Sequence, residues 1–73
     1  MMRTTKVRLF DVVALTEAFS ERKLERGQVG TVVEILAPDV FEVEFSDTDG
    51  RTYAELAVEE EKLLVLHYEP TFG

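Results

Sequence analysis

The segment Arg26-Gly27-Gln28-Val29-Gly30-Thr31-Val32-Val33-Glu34-Ile35-Leu36 decides the fold, because two closely spaced glycines open directly into a run of β-branched and aliphatic residues. Gly27 and Gly30 suit positions that need a positive φ or a close backbone approach, and Thr31 to Leu36 fit a pleated, half-buried surface. The segment reads as a tight turn feeding a long strand. Val32 and Ile35 are an odd number of positions apart, so both face inward only if a bulge or strong coil falls between them.

Working outward, Phe10 to Leu15 reads as a first strand with Val13 and Leu15 on one face and Val12 and Ala14 on the other. Both faces are apolar, which implies that the second is also covered. Thr16 to Arg26 is charged, with Phe19 and Leu24 as its only large apolar residues. It reads as a long excursion pinned by those two side chains, or as a short helix over Glu17 to Leu24. After the second strand, Ala37-Pro38-Asp39 is a turn. Val40 to Phe45 then alternates strictly, with Phe41, Val43 and Phe45 inward and Glu42 and Glu44 outward.

Ser46 to Gly50 is a hairpin connection in which Asp accepts local backbone bonds and Gly50 takes the left-handed position. Thr52 to Val58 returns with Ala54, Leu56 and Val58 inward and Tyr53 and Glu55 outward. Glu59 to Lys62 forms one helical turn, Leu63 to His67 a last short strand, and Tyr68 to Gly73 a frayed tail. Five short strands, one long loop after the first and one helical turn before the last describe an all-β fold, a small five-stranded SH3-like barrel. Closing the sheet removes unpaired edges. The domain spans residues 9–67, between an N-terminal segment, 1–8, and a C-terminal tail, 68–73.

At 73 residues the chain holds one domain with a small core, fed by five Phe and abundant Val and Leu. Cysteine is absent, which removes disulfides, thiolate nucleophiles and zinc–thiolate sites and fits a reducing cytoplasm. Arg3, Lys6 and Arg8 are followed by no apolar run of signal-peptide type, and no transmembrane span is present. The net charge of −7 is uneven: residues 1–26 sum to +2 and residues 27–73 to −9. A nucleic-acid groove needs a basic face, and only Arg3, Lys6, Arg8, Arg22, Lys23 and Arg26 offer one.

No residue set supports catalysis. His67 is the only histidine and lacks an orienting partner or nucleophile. Glu42 and Glu44 have no cleft to desolvate either of them, so they read as surface residues. Asp47-Thr48-Asp49-Gly50 fails as a calcium loop, because an EF-hand frame on Gly50 places Phe45 first and Leu56 twelfth, where carboxylates are required. Glu59, Glu60 and Glu61 read as a solvated helical turn or as a recognition face for a basic partner, rather than a metal site. Neither a metal nor a cofactor is expected. Tyr53, Phe19 and Phe72 either mark a docking patch or cover the barrel mouth.

Arg26 to Val32 with Ile35 resembles the KOW-type turn of ribosomal and transcription-elongation SH3-like domains. The longer pattern runs from Asp11-Val12-Val13-Ala14-Leu15 through the glycine turn to Phe41 to Phe45, Asp49 to Ala54 and Leu63 to Leu66. It is similar to a family of small bacterial domains of uncharacterised function, and in layout to the SH3-like barrel of the nitrile hydratase β-subunit and its small accessory proteins. The resemblance implies a barrel without a settled activity, encoded beside larger and sometimes toxin-like partners. Glu34, Asp39, Asp47 and Asp49 stand where RNA-binding KOW domains carry basic loops, which argues against RNA.

The expected function is therefore a non-catalytic, acidic, protein-binding module, with an antitoxin- or immunity-like role as its specific form. Glu34, Glu42, Glu44, Tyr53, Glu59, Glu60 and Glu61 are the candidate partner-binding residues, and Gly27, Gly30 and Gly50 the structural turn residues. The alternatives are a nucleic-acid-binding KOW-like domain and a small structural subunit of a larger enzyme assembly.

Overall fold

The computed structural model describes residues 7–67; Arg3, Lys6, Phe72 and the expected tail lie outside them. Five strands form one antiparallel sheet: β1 (Val12–Leu15), β2 (Val29–Ala37), β3 (Val40–Ser46), β4 (Thr52–Glu59) and β5 (Leu63–Val65). Their order across the sheet is β4-β3-β2-β1-β5, which makes β4 and β5 the two edges. The only helical pieces among the described residues are two 3₁₀ turns, Ser20–Arg22 and Glu60–Lys62.

The alternation in β3 sets the core. Phe41, Val43 and Phe45 are fully buried, while Glu42 and Glu44 are half-buried on the opposite face. Leu56 and Val58 of β4, Val13 and Leu15 of β1, Val32 of β2 and Leu63 of β5 join them in one cluster, so the sheet curls enough to bring side chains of both edges together. Burying each large side chain contributes roughly 1.5–3 kcal/mol, which makes these few residues decisive in so short a chain. Val7 is also buried in this cluster, an extension of the core into what reads in the sequence as an N-terminal segment.

Each glycine of the opening motif does a different job. Gly27 has φ 89° and closes the turn, donating its N–H to the Leu15 carbonyl at 2.7 Å. Gly30 lies within β2 rather than in the turn assigned to it from sequence, and what it supplies is space. A Cβ there would meet Val43 Cγ1 at 2.7 Å and the Glu44 carbonyl oxygen at 2.9 Å. The anticipated irregularity in β2 is present twice, at Val33 and at Leu36, where the pairing with β3 shifts register. The first shift allows Val32 to oppose Val43 and Ile35 to oppose Phe41.

The excursion after β1 is the pinned loop and not the short helix over Glu17 to Leu24: a single 3₁₀ turn, Ser20–Arg22, lies inside a loop held by a bridge between Phe19 and Leu24. Leu24 is 1% exposed and Phe19 packs against the core. The loop touches both sheet edges. On the β4 side, Arg22 Nη2 donates to the Glu55 carbonyl at 3.2 Å and Gln28 Nε2 donates to Tyr53 Oη at 2.6 Å. On the β5 side, the Thr16 N–H donates to the Lys62 carbonyl at 3.0 Å. Lys62 Nζ meets Glu17 at 3.4 Å and lies 5.5 Å from the centre of the Phe19 ring. β5 ends at Val65 rather than His67, although the Leu66 N–H still bonds the Val12 carbonyl at 2.9 Å.

Candidate functional site

The outer face of β3 and β4 gathers carboxylates by register. Glu44 stands opposite Glu55 on β4, and Glu42 stands opposite Glu34 on β2. Side chains directly opposite on antiparallel strands share a face at about 5 Å, so the four acids form a ladder across three strands. Like charges in such positions destabilise the sheet, and a fold of this size keeps few such contacts without a use for them. The Glu55 carboxyl is held above the ordinary value of 4.5. Loss of water around it comes first among the causes, followed by the like charge of Glu42 with its hydrogen bond and then by the same two effects from Glu44.

The sequence marks Glu55 as an outward strand residue, with no signal that it belongs to a site. Alternation fixes its face, whereas only register places it against Glu42 and Glu44. Tyr53, two residues along β4, is 47% exposed, and its hydroxyl accepts the bond from Gln28. It is thus both a surface aromatic and a tether for the loop.

Glu59, Glu60 and Glu61 form a separate group. With Asp39 of the β2–β3 turn, they line a shallow notch of about 60 Å³. The Glu60 N–H donates to the Asp39 carbonyl at 2.8 Å and holds that corner together. Among the described residues, no group of three or more His, Cys, Asp or Glu is placed to hold a metal ion. His67 is exposed, two residues beyond the end of β5.

The loop Asp47 to Arg51 is organised as a turn. Asp47 Oδ1 accepts the N–H groups of Asp49 at 2.9 Å and Arg51 at 3.0 Å, and Gly50 has φ 82°. The carboxylate is engaged with its own backbone, as the turn reading requires.

One feature had no signal in the sequence. Arg8 to Asp11 forms a tight turn in which the Asp11 N–H donates to the Arg8 carbonyl at 3.1 Å and Asp11 Oδ2 accepts the Arg8 N–H at 2.8 Å. Phe10 sits in it with φ 70° and is 70% exposed. Its N–H bonds the Val32 carbonyl, and the Val32 N–H bonds the Asp11 carbonyl. Two residues thus oppose one, a bulge whose first position glycine normally fills.

These observations define an all-β domain whose outer sheet face is anionic over β3 and β4. The chain belongs to the DUF4926 family, a domain of unknown function, which it matches over residues 9–65. No curated protein and no solved structure gives a match. No helix among the described residues is long and apolar enough to cross a membrane.

Proposed function

We propose that the protein is a non-catalytic binding module, an SH3-like barrel in the cytoplasm that engages a basic surface of a partner protein. An antitoxin- or immunity-like role toward a neighbouring gene product is its specific form. The observation that supports this reading best is the ladder Glu34, Glu42, Glu44 and Glu55, in which like charges are stacked by register on a solvent-facing sheet. An incoming Lys or Arg relieves the repulsion that the free domain carries, so part of the binding free energy is stored in the unbound state. Arg22, one of the basic residues available to nucleic acid, is engaged on the Glu55 carbonyl.

The test is affinity purification of the tagged chain from its native host, compared with the Glu42→Lys/Glu44→Lys variant. Loss of the co-purifying protein with retention of the folded spectrum supports the reading. Unchanged recovery of the same partner counts against this face.

A further inference from the structure

The outer sheet face is divided. Register places Leu64 of β5, Ala14 of β1 and Val29 of β2 in one row across the sheet. The next row runs Leu66, Val12, Thr31, Glu44 and Glu55 from the β5 edge to the β4 edge. Over these two rows the β5-β1-β2 side is uncharged and mostly apolar, while Glu44 and Glu55 make the β3-β4 side anionic; Glu34 of β2 lies beyond them, opposite Glu42. Leu64 is 57% exposed and Val29 46% exposed, although both flank the buried Ala14. The sequence implies that this second face of β1 is covered, yet its two flanks stand open to solvent.

We infer that this face receives a basic amphipathic helix of a partner protein, with its apolar stripe over β5, β1 and β2 and its Lys or Arg flank over Glu42, Glu44 and Glu55. The inference rests on the binding-module reading above and names the partner's chemistry.

The dimensions fit a helix. Three adjacent strands span about 10 Å between their outer members, the width of one helix, and the carboxylates on the next two strands lie within reach of Lys or Arg on its flank. The apolar rows are about two strand residues apart, so a contact of roughly two helical turns covers them, with anchors spaced i, i+3 or i+4, and i+7.

Strand addition fits less well. On the β4 edge the Glu55 carbonyl is already bonded by the Arg22 guanidinium, and β5 is only three residues long. A second copy is disfavoured by charge, since each chain carries −7 and would bring one carboxylate ladder toward another.

The probe is a synthetic 14-residue helix with Leu along one stripe and Lys elsewhere, added to the ¹⁵N-labelled full chain at near-physiological salt. Its controls are a scrambled peptide of identical composition and a stripe-preserving peptide with Glu in place of Lys. Saturable binding about tenfold tighter than to the scrambled peptide is expected, with amide shifts concentrated on Val12, Val29, Leu64, Glu44 and Glu55. Leu64→Ser/Val29→Thr, which leaves the ladder intact, should remove that preference.

Equal binding of the striped and scrambled Lys peptides overturns the helix inference while leaving the anionic-face reading standing. If Glu42→Lys/Glu44→Lys also leaves binding unchanged, both fail. A concentration-dependent dimer that shifts the same amides, or contacts of Leu64 and Val29 with residues 68–73 of the same chain, assigns the face to another occupant and likewise overturns the inference.

Discussion

Replacing Gly30 with alanine tests the reasoning about the core most sharply, because a single methyl group meets three fixed neighbours. The added Cβ would lie 2.7 Å from Val43 Cγ1, 2.9 Å from Phe45 Cδ1 and 2.9 Å from the Glu44 carbonyl oxygen. Carbon atoms pack best at about 3.5–4.0 Å, so the overlap approaches 1 Å. Val43 and Phe45 have no exposed surface to move into, and the Glu44 carbonyl belongs to the adjoining strand. Relief requires β2 and β3 to part locally.

Overpacking of this kind costs about 1–3 kcal/mol, and the smaller unfolded-state entropy of alanine returns about 0.4–1 kcal/mol. The net loss centres on about 1.3 kcal/mol, or a fall in Tm of about 5–10 °C for a domain of this length. Thermal and urea unfolding followed by circular dichroism should show the lower midpoint with an unchanged urea m-value. Gly30→Ala/Val43→Ala should be less destabilised than the sum of the single variants by at least about 0.5 kcal/mol, because the closest clash is removed. An unchanged or raised Tm for Gly30→Ala would refute the packing argument.

Phe10 should invert the usual ranking of alanine and glycine. Its φ of 70° costs an L-residue about 1–2 kcal/mol, and the entropy of glycine costs about 0.5–1 kcal/mol. Phe10→Gly should therefore unfold at a higher temperature than Phe10→Ala, and the reverse order in a melting experiment would show that the turn is unstrained. The raised pKa of Glu55 means that the folded chain holds its proton more tightly than the unfolded chain. That contribution to stability is complete below the ordinary value of 4.5 and is lost as pH rises through the raised value. Glu55→Gln should consequently be more stable than the parent at pH 7, with the difference shrinking on acidification. A difference that grows on acidification contradicts this linkage. Arg22→Ala should weaken the tie between the loop and β4, read as faster amide exchange around Ser20 to Leu24 with little change in Tm. Unaltered exchange there would show that the contact at 3.2 Å contributes nothing.

The strands were legible wherever one face alone is buried. Phe41, Val43 and Phe45 alternating with Glu42 and Glu44 determine β3 without ambiguity, and the Val32 to Ile35 spacing announces an irregularity in β2. Asp47 and Gly50 announce their turn through the chemistry of their own backbone. What escaped the sequence depends on non-local geometry. The approach of Glu55 to Glu42 and Glu44 is a property of register between strands, and the contribution of Val7 to the core depends on how the chain enters β1. The left-handed backbone of Phe10 was hidden because glycine, the usual marker of that conformation, is absent there. The excursion allows two readings because its local helix formers and its two apolar pins favour different structures; the pins, Phe19 and Leu24, prevail, and the helix formers yield only the 3₁₀ turn Ser20–Arg22.

The central claim is that the carboxylate ladder on the outer face is where a protein partner docks. Zero-length carboxyl-to-amine cross-linking in extracts of the native host, followed by peptide mapping, tests it directly. The account predicts cross-links from Glu42, Glu44 or Glu55 to lysines of one partner protein, lost at high salt. Cross-links confined to Glu59 to Glu61 and the loops, with those three strand carboxylates unmodified by any partner, would contradict it.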